Sequence, residues 1–222
     1  MTTQSAFAAA AGLVALAFAM STFERWLARR RRYDLAWSVA LALFFLGSAA
    51  LWLGAANGWT GPTFRAFYLF GAIVNVPVLA LGTVYLLGDQ RRGDRWTAVV
   101  ALASAFAAGA IVEAPFRATI LPDKLPQGSD VFGPLPRILA AVASAGGALV
   151  IVAGAAWSAW RIPKGRVVAA NLLIAGGTLV LGAGGILNSV LDEMEAFALT
   201  LVVGVTMLFL GFLLVAAAPR SG

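Results

Sequence analysis

Seven long apolar stretches alternate with short polar seams along this 222-residue chain. Each stretch is long enough to cross a bilayer, because about 20 apolar residues in a helix satisfy their own backbone hydrogen bonds across ~30 Å of hydrocarbon. The seams are too short to hold a second domain. The pattern predicts a single all-α domain over residues 1–222, an integral membrane bundle of seven helices with spans over residues 6–23, 35–55, 66–88, 96–113, 135–160, 167–191 and 196–218.

The composition agrees with a chain that is embedded in lipid. Hydrophobic residues make up 61% of it and charged residues 12%, which leaves too little polar surface for a water-soluble globule. The sequence contains neither cysteine nor histidine. Structural disulfides, histidine-ligated haem and histidine-based zinc sites are therefore excluded. We expect no cofactor, no metal site and no catalytic residue, and an enzyme is the least favoured class.

Positive charge is distributed unevenly between the seams. Of the 14 Arg and two Lys, twelve fall in the seams after the first, third and fifth spans or at the C-terminus. The positive-inside rule places these seams in the cytoplasm, with the N-terminus outside and the C-terminus inside. The excess of Arg over Lys, with abundant Ala, Gly and Val, is typical of a high-GC bacterium. We therefore expect a multi-pass protein of the bacterial inner (plasma) membrane.

A run of four arginines follows the first span directly and is flanked by tryptophans. In isolation such a run resembles a nucleic-acid patch, but beside a span it is typical of anchoring on anionic lipid headgroups, at about 1 kcal/mol per basic residue. We therefore expect membrane lipid as a partner and no nucleic acid. The predicted interface anchors are Arg29, Arg30, Arg31, Arg32, Trp26 and Trp37.

Polar groups toward the outer side of the predicted bundle form a candidate ligand site. Asn75 lies near the middle of the third span and Glu113 closes the fourth. Such groups are costly enough in lipid to need a reason. Residues 115–136 form the one long loop, which carries five prolines and would roof a pocket with Asn75 at its floor. The predicted ligand-binding residues are Glu113, Arg117, Arg65, Asn75, Tyr68 and Asn188.

Each of these groups also has a structural interpretation. Asn75 is a common kind of interhelical contact, and Glu113 with Arg117 would form an interfacial salt bridge. The acidic group after Asn188 would cap the seventh helix, whose N-terminal end favours carboxylates. The loop would equally serve as a connector across the end of the bundle. Small-residue faces on the fourth, fifth and sixth spans allow close approach within the bundle, to a second copy of the chain or to a partner membrane protein.

The sequence also contains a weak internal repeat. One constant offset places Trp26 on Trp160 and Arg32 on Arg166, so that the first two spans overlay the fifth and sixth. The resulting 3+1+3 architecture has two parallel three-helix units joined by the fourth span. It resembles the sugar-transporter and microbial-rhodopsin class of seven-helix proteins, in which substrate sites lie near the midplane between repeats. Retinal bound as a Schiff base is excluded, because residues 196–218 contain no lysine.

Two segments resemble an uncharacterised seven-helix membrane protein family of high-GC bacteria. They are FYLFGAIVNVP over residues 67–77 and LPQGS over residues 125–129. The resemblance implies the seven-helix fold and no particular activity.

Two functions from different classes fit these features. The first is a transporter or channel for a small solute or ion, with its polar site in the outer half of the bundle. The second is a receptor-like or accessory membrane subunit that binds a lipid, an apolar ligand or a partner membrane protein. The two differ in whether Asn75, Asn171 and Glu113 face one continuous polar cavity or are separated by packed apolar side chains.

Overall fold

Seven long helices make up most of the protein. The structure, a computed structural model, describes residues 3–191 and 194–216, with side chains for all of these except residues 186–191, 194, 195, 215 and 216. All seven helices are long and apolar enough to cross a membrane, so this part of the prediction is confirmed. They are α1 (Thr3–Arg29), α2 (Arg32–Asn57), α3 (Gly61–Leu87), α4 (Gln90–Glu113), α5 (Pro134–Arg161), α6 (Gly165–Leu191) and α7 (Met194–Ala216).

Several helices run beyond the apolar spans that the sequence predicts. α4 begins at Gln90, because the carboxylate of Asp89 accepts a hydrogen bond from the backbone N–H of Arg92 at 2.8 Å and caps the helix. α1 continues to Arg29. The next residue, Arg30, adopts a left-handed backbone conformation with φ of 51°. Hydropathy marks where lipid-compatible residues end, whereas capping groups and turns set the helix ends.

Six of the helices form a closed ring, and α4 lies outside it. The neighbours around the ring are α1, α2, α3, α5, α6 and α7, with α7 packing back on α1. α4 packs mainly on α3 and more lightly on α5. A fourth helix outside two groups of three is the position that a 3+1+3 architecture requires, although the internal repeat itself stays a prediction.

Glycines bring neighbouring helices into close contact. A Cβ added at Gly47 of α2 would lie 2.9 Å from the backbone nitrogen of Gly71 in α3. A Cβ at Gly177 of α6 would lie 2.7 Å from the carbonyl oxygen of Gly204 in α7. These positions admit no side chain without a backbone shift, which is the use of small residues in membrane bundles.

α3 is irregular at its centre. Residues Tyr68–Val74 form a π-helical segment between two α-helical halves. The hydroxyl of Ser144 on α5 donates a hydrogen bond to the carbonyl of Ala72 within this segment at 2.6 Å. The irregular backbone is therefore tied to the neighbouring helix of the ring.

The two ends of the bundle differ in their connections. At one, called here the loop end, residues 114–133 cross from α4 to α5 and include a helical turn, Gly128–Val131. Leu125, Val131 and Phe132 of this loop are buried in one cluster with Trp59 and Phe64. At the other, called the basic end, short turns join α1 to α2, α3 to α4 and α5 to α6. Part of the loop is thus packed into the bundle, while Phe116 and Leu121 are exposed.

Candidate functional site

A cavity of about 400 Å³ opens inside the ring at the basic end. All six ring helices contribute to its lining, and we call it the basic cavity. Three arginines, Arg25, Arg29 and Arg31, line one side. Most of the remaining lining is apolar and includes Leu79, Leu86, Ile151, Ile174 and Leu208. The cavity thus joins a cationic side to hydrocarbon-like walls.

Arg25 is held in this cavity by a buried ion pair. Its Nη2 donates to Oδ1 of Asp34 at 2.7 Å, and the Asp34 side chain is 0% exposed. The guanidinium also lies over the ring of Phe212, with its central carbon 4.1 Å from the ring centre. Asp34 stands in the first turn of α2, and α7 supplies Phe212, so three helices fix the position of one cation.

The ion pair does not satisfy all of its own polar atoms. Nε and Nη1 of Arg25 and Oδ2 of Asp34 are buried with no hydrogen-bond partner in the described part of the chain. A buried polar atom without a partner costs about 1–3 kcal/mol, and more when the group is charged. Arg25 therefore has three N–H groups, one on Nε and two on Nη1, from which a bound anion could accept hydrogen bonds.

The mouth of the basic cavity carries further polar groups. Arg31 donates to the hydroxyl of Tyr33 at 2.7 Å, while Arg29 is exposed. On the facing wall the amide of Asn171 donates to the hydroxyl of Ser158 at 3.0 Å. The arginine side is cationic, and the Asn171 side is polar but neutral.

A second cavity of about 210 Å³ lies farther along the bundle axis, and we call it the middle cavity. Five ring helices, α2, α3, α5, α6 and α7, contribute to it. Asn75 lines it, together with the hydroxyl-bearing residues Ser144 and Thr178. Leu79 and Ile151 line both cavities, so apolar side chains separate the two spaces.

The ligand-binding residues predicted from sequence are dispersed. Asn75 alone lines a cavity; Glu113 and Arg117 are exposed at the loop end and line neither. Tyr68 packs on Phe132, with ring centres 5.0 Å apart. The Asn188 side chain lies outside the described residues. The structure thus does not bring Glu113, Arg117 and Asn75 into one pocket.

Arg65 holds the loop end together. It donates to the backbone carbonyls of Ile111 and Ala114, the latter at 2.7 Å, and its guanidinium lies over the ring of Phe116 at 4.2 Å. These carbonyls belong to the last turn of α4 and the residue that follows it. Arg65 therefore caps α4, and its charge is directed at the backbone.

The predicted interface anchors occupy different environments at the basic end. Arg30 lies over the ring of Trp26, and Arg32 pairs with Asp94 of α4. Trp37 packs edge-on to Phe212 and against the backbone of Gly82, and it lines the basic cavity. Membrane anchoring by the six residues stays a prediction. The structure adds that Arg29, Arg31 and Trp37 line a cavity.

Asp34 and Arg25 are the functional candidates that sequence reasoning missed. Between Glu24 and Asp89 the chain has a single acidic residue, Asp34, and it follows four consecutive arginines. An isolated carboxylate at the start of an apolar span indicates that the carboxylate pairs with a positive side chain. That signal was available in the sequence, but the choice of Arg25 as its partner depends on how α1 and α2 pack.

The chain matches no protein-family model, no curated protein and no solved structure. In the described part of the chain, no three acidic side chains lie close enough to share a metal ion. Seven apolar helices are consistent with a multi-pass membrane protein, and the basic cavity has more charged side chains in its lining than the middle cavity has among the described residues.

Proposed function

We propose that the protein is a receptor-like or accessory membrane protein that binds an anionic amphiphile, such as an anionic lipid, in the basic cavity. The observation that carries the proposal is the partly buried Arg25 guanidinium at the wall of an apolar space, because two of its nitrogens have no hydrogen-bond partner among the described residues. An anion there would accept charge-assisted hydrogen bonds, which are stronger than neutral ones.

The charge around the cavity favours a negatively charged group. Arg25, Arg29 and Arg31 line it, and in the described part of the chain no acidic residue does. Asp34 lies behind Arg25 and neutralises one of these three charges. Two positive charges thus face the mouth without a carboxylate partner in the described residues.

The walls favour an apolar body behind that group. Leu79, Ile151 and Leu208 are among the apolar side chains that line the space. A volume near 400 Å³ falls within the usual range for small-molecule sites, about 300–1,000 Å³. A free inorganic anion would leave these walls unfilled, whereas an amphiphile uses both parts of the site.

The orientation of the chain is part of the proposal. The charge bias puts the basic end in the cytoplasm of a bacterium, where the membrane surface carries anionic headgroups. The mouth of the basic cavity would then lie at the level of those headgroups. A reporter that is active only in the cytoplasm should work when fused after Gly222 and fail when fused before Met1, and the opposite result would reverse the orientation.

Transport along the bundle axis is a second candidate. It is favoured by one observation, that the basic and middle cavities share Leu79 and Ile151. Movement of these two side chains would join the spaces. The apolar lining favours an amphiphile over an ion as cargo. In reconstituted vesicles, Ile151→Trp should block transfer of a fluorescent anionic lipid between leaflets if the route exists, and binding without transfer in the wild type would exclude it.

Native mass spectrometry of the protein in a nonionic detergent tests the binding proposal. Phosphatidylglycerol should bind with higher affinity than phosphatidylcholine of the same chains, and inorganic phosphate should not displace it. Replacing Arg29 and Arg31 together by Gln should weaken phosphatidylglycerol binding about 30-fold, at about 1 kcal/mol for each charge.

A matched variant controls for net charge. Arg91 and Arg95 are exposed at the same end of the bundle on α4, and neither lines the cavity. Replacing both by Gln removes the same charge and should leave the affinity within about twofold. An equal loss in both double variants, or equal binding of the two lipids, would contradict a specific site.

A further inference from the structure

We propose that the middle cavity is a separate binding site for a neutral, largely apolar ring molecule that carries one hydrogen-bond donor. Among the residues whose side chains the structure describes, no Asp, Glu, Lys or Arg lines this space. Burying an unpaired ion there would be strongly unfavourable. The ligand is therefore neutral, which distinguishes it from the amphiphile proposed for the basic cavity.

The middle cavity is lined by four residues with polar side chains, Ser48, Asn75, Ser144 and Thr178. Asn75 is 6% exposed, and the oxygen of its side-chain amide has no hydrogen-bond partner among the described residues. The hydroxyls of Ser144 and Thr178 donate to the carbonyls of Ala72 and Ile174, at 2.6 and 2.8 Å. Their hydrogens are thus committed within the protein, and their oxygens remain acceptors. The hydroxyl of Ser48 and the amide nitrogen of Asn75 also line the space and can donate. The complementary ligand group is therefore one that both donates and accepts, such as a hydroxyl.

The lining of the cavity suits an aromatic ring. Phe44, Phe67 and Phe197 line it, and aromatic faces favour offset or edge-on contact with another ring. Gly182 and Gly185 of α6 also line it, and a Cβ added at either would meet nothing within 4 Å. The glycines therefore leave open space beside the phenylalanines.

The π-helical segment of α3 supports a functional role for this space. Its residues Gly71 and Ala72 line the cavity, and Asn75 follows the end of the segment directly. Short π-helical insertions occur frequently at functional sites, because they alter the direction of side chains along one helix. The irregularity thus coincides with the unpartnered amide.

Two probes that differ by one hydroxyl test the ligand class. 2-Naphthol and naphthalene are equilibrated with the full-length protein in nanodiscs, and partitioning into empty nanodiscs is subtracted. Saturable binding of naphthol should exceed that of naphthalene about threefold to tenfold, the range expected for one neutral hydrogen bond in a buried site. Asn75→Leu should abolish this preference and leave naphthalene binding intact. A preference that persists in Asn75→Leu would overturn the assignment of the acceptor.

A pair of glycine variants tests the location. Gly182→Leu places a side chain in the open space of the cavity and should remove saturable binding of both probes. Gly146→Leu is the matched control, since a Cβ at Gly146 also meets nothing within 4 Å and the residue lines neither cavity. Unchanged binding in Gly182→Leu, or equal loss in both variants, would overturn the site.

Competition with phosphatidylglycerol separates this proposal from the function proposed above. If the two sites are independent, the lipid should leave naphthol affinity unchanged, and the Arg29 and Arg31 replacements should not affect it. Displacement of naphthol by the lipid would mean that the lipid chain passes Leu79 and Ile151 and fills the middle cavity. That result would overturn the proposal of a separate neutral ligand, and the basic cavity would remain the anion site.

Discussion

The loop end and the basic end each contain a partly buried arginine, and the two are satisfied in different ways. Arg65 donates to two backbone carbonyls and lies on Phe116, within a cluster of packed aromatic rings. Arg25 has one carboxylate partner, lies on Phe212 and keeps two nitrogens unpaired beside a cavity. The comparison shows that the hydrogen bonds of Arg65 are made to backbone, whereas those of Arg25 are incomplete among the described residues.

The largest expected effect comes from breaking the ion pair at the basic end. Asp34→Leu leaves Arg25 buried without its carboxylate, and removal of one partner from a buried pair costs about 3–5 kcal/mol. The free energy of unfolding in mixed micelles of detergent and dodecyl sulfate measures the loss. The double variant Arg25→Met with Asp34→Leu should recover most of it, because an apolar pair fits the surrounding helices. A double variant as unstable as the single one would show that the pair itself is not the source.

A smaller loss is expected at the loop end. Arg65→Met keeps an apolar stem beside Phe116 but removes the bonds to the carbonyls of Ile111 and Ala114. One charged hydrogen bond contributes about 1.5–3 kcal/mol, and because carbonyls at a helix end can bond to water instead, we expect a total loss of about 2 kcal/mol. Hydrogen exchange of residues 110–117 should accelerate, while phosphatidylglycerol binding stays unchanged. Arg117→Met, at an exposed position, is the control and should alter neither. Loss of lipid binding in Arg65→Met with normal exchange would restore a ligand role to the loop end.

The smallest effect concerns the turn between α1 and α2. Arg30 has a positive φ of 51°, a conformation in which a residue with a Cβ is strained by about 1 kcal/mol. Arg30→Gly and Arg30→Ala both remove the contact with Trp26. The difference between their free energies of unfolding therefore measures the backbone strain alone. The Gly variant should be more stable than the Ala variant by about 1 kcal/mol in the same unfolding assay. Equal stability would mean that the turn relaxes to another conformation.

Much of the fold could be predicted from the sequence, because lipid imposes length and polarity on every span. Asn75 was also identified correctly as an interior polar group, since a mid-span amide has no lipid-compatible position except against protein. Glu113 and Arg117 were grouped with Asn75 only because all three were expected in the outer half of the membrane. Depth follows from position along a helix, whereas the side on which a residue faces depends on packing with several other helices.

The basic cavity could not be predicted for the same reason. Its arginines belong to a run that charge bias alone explains as a topology signal, and nothing in the run distinguishes Arg29 and Arg31 from Arg30 and Arg32. The helix breaks at Arg30, and the four side chains point to different places. Arg29 and Arg31 line the cavity, Arg30 lies over Trp26, and Arg32 pairs with Asp94. Local backbone geometry thus divides one sequence feature into several environments.

The closeness of Arg25 and Asp34 along the chain bears on how the protein is made. Nine residues and one tight turn separate the two charges, so little chain entropy is lost when they meet. Membrane chains are synthesised from the N-terminus, and these two helices leave the ribosome long before α7. The first helical hairpin can therefore enter the membrane with its two interior charges already neutralised by each other. Phe212, about 180 residues later in the chain, then covers a cation whose carboxylate partner was synthesised much earlier.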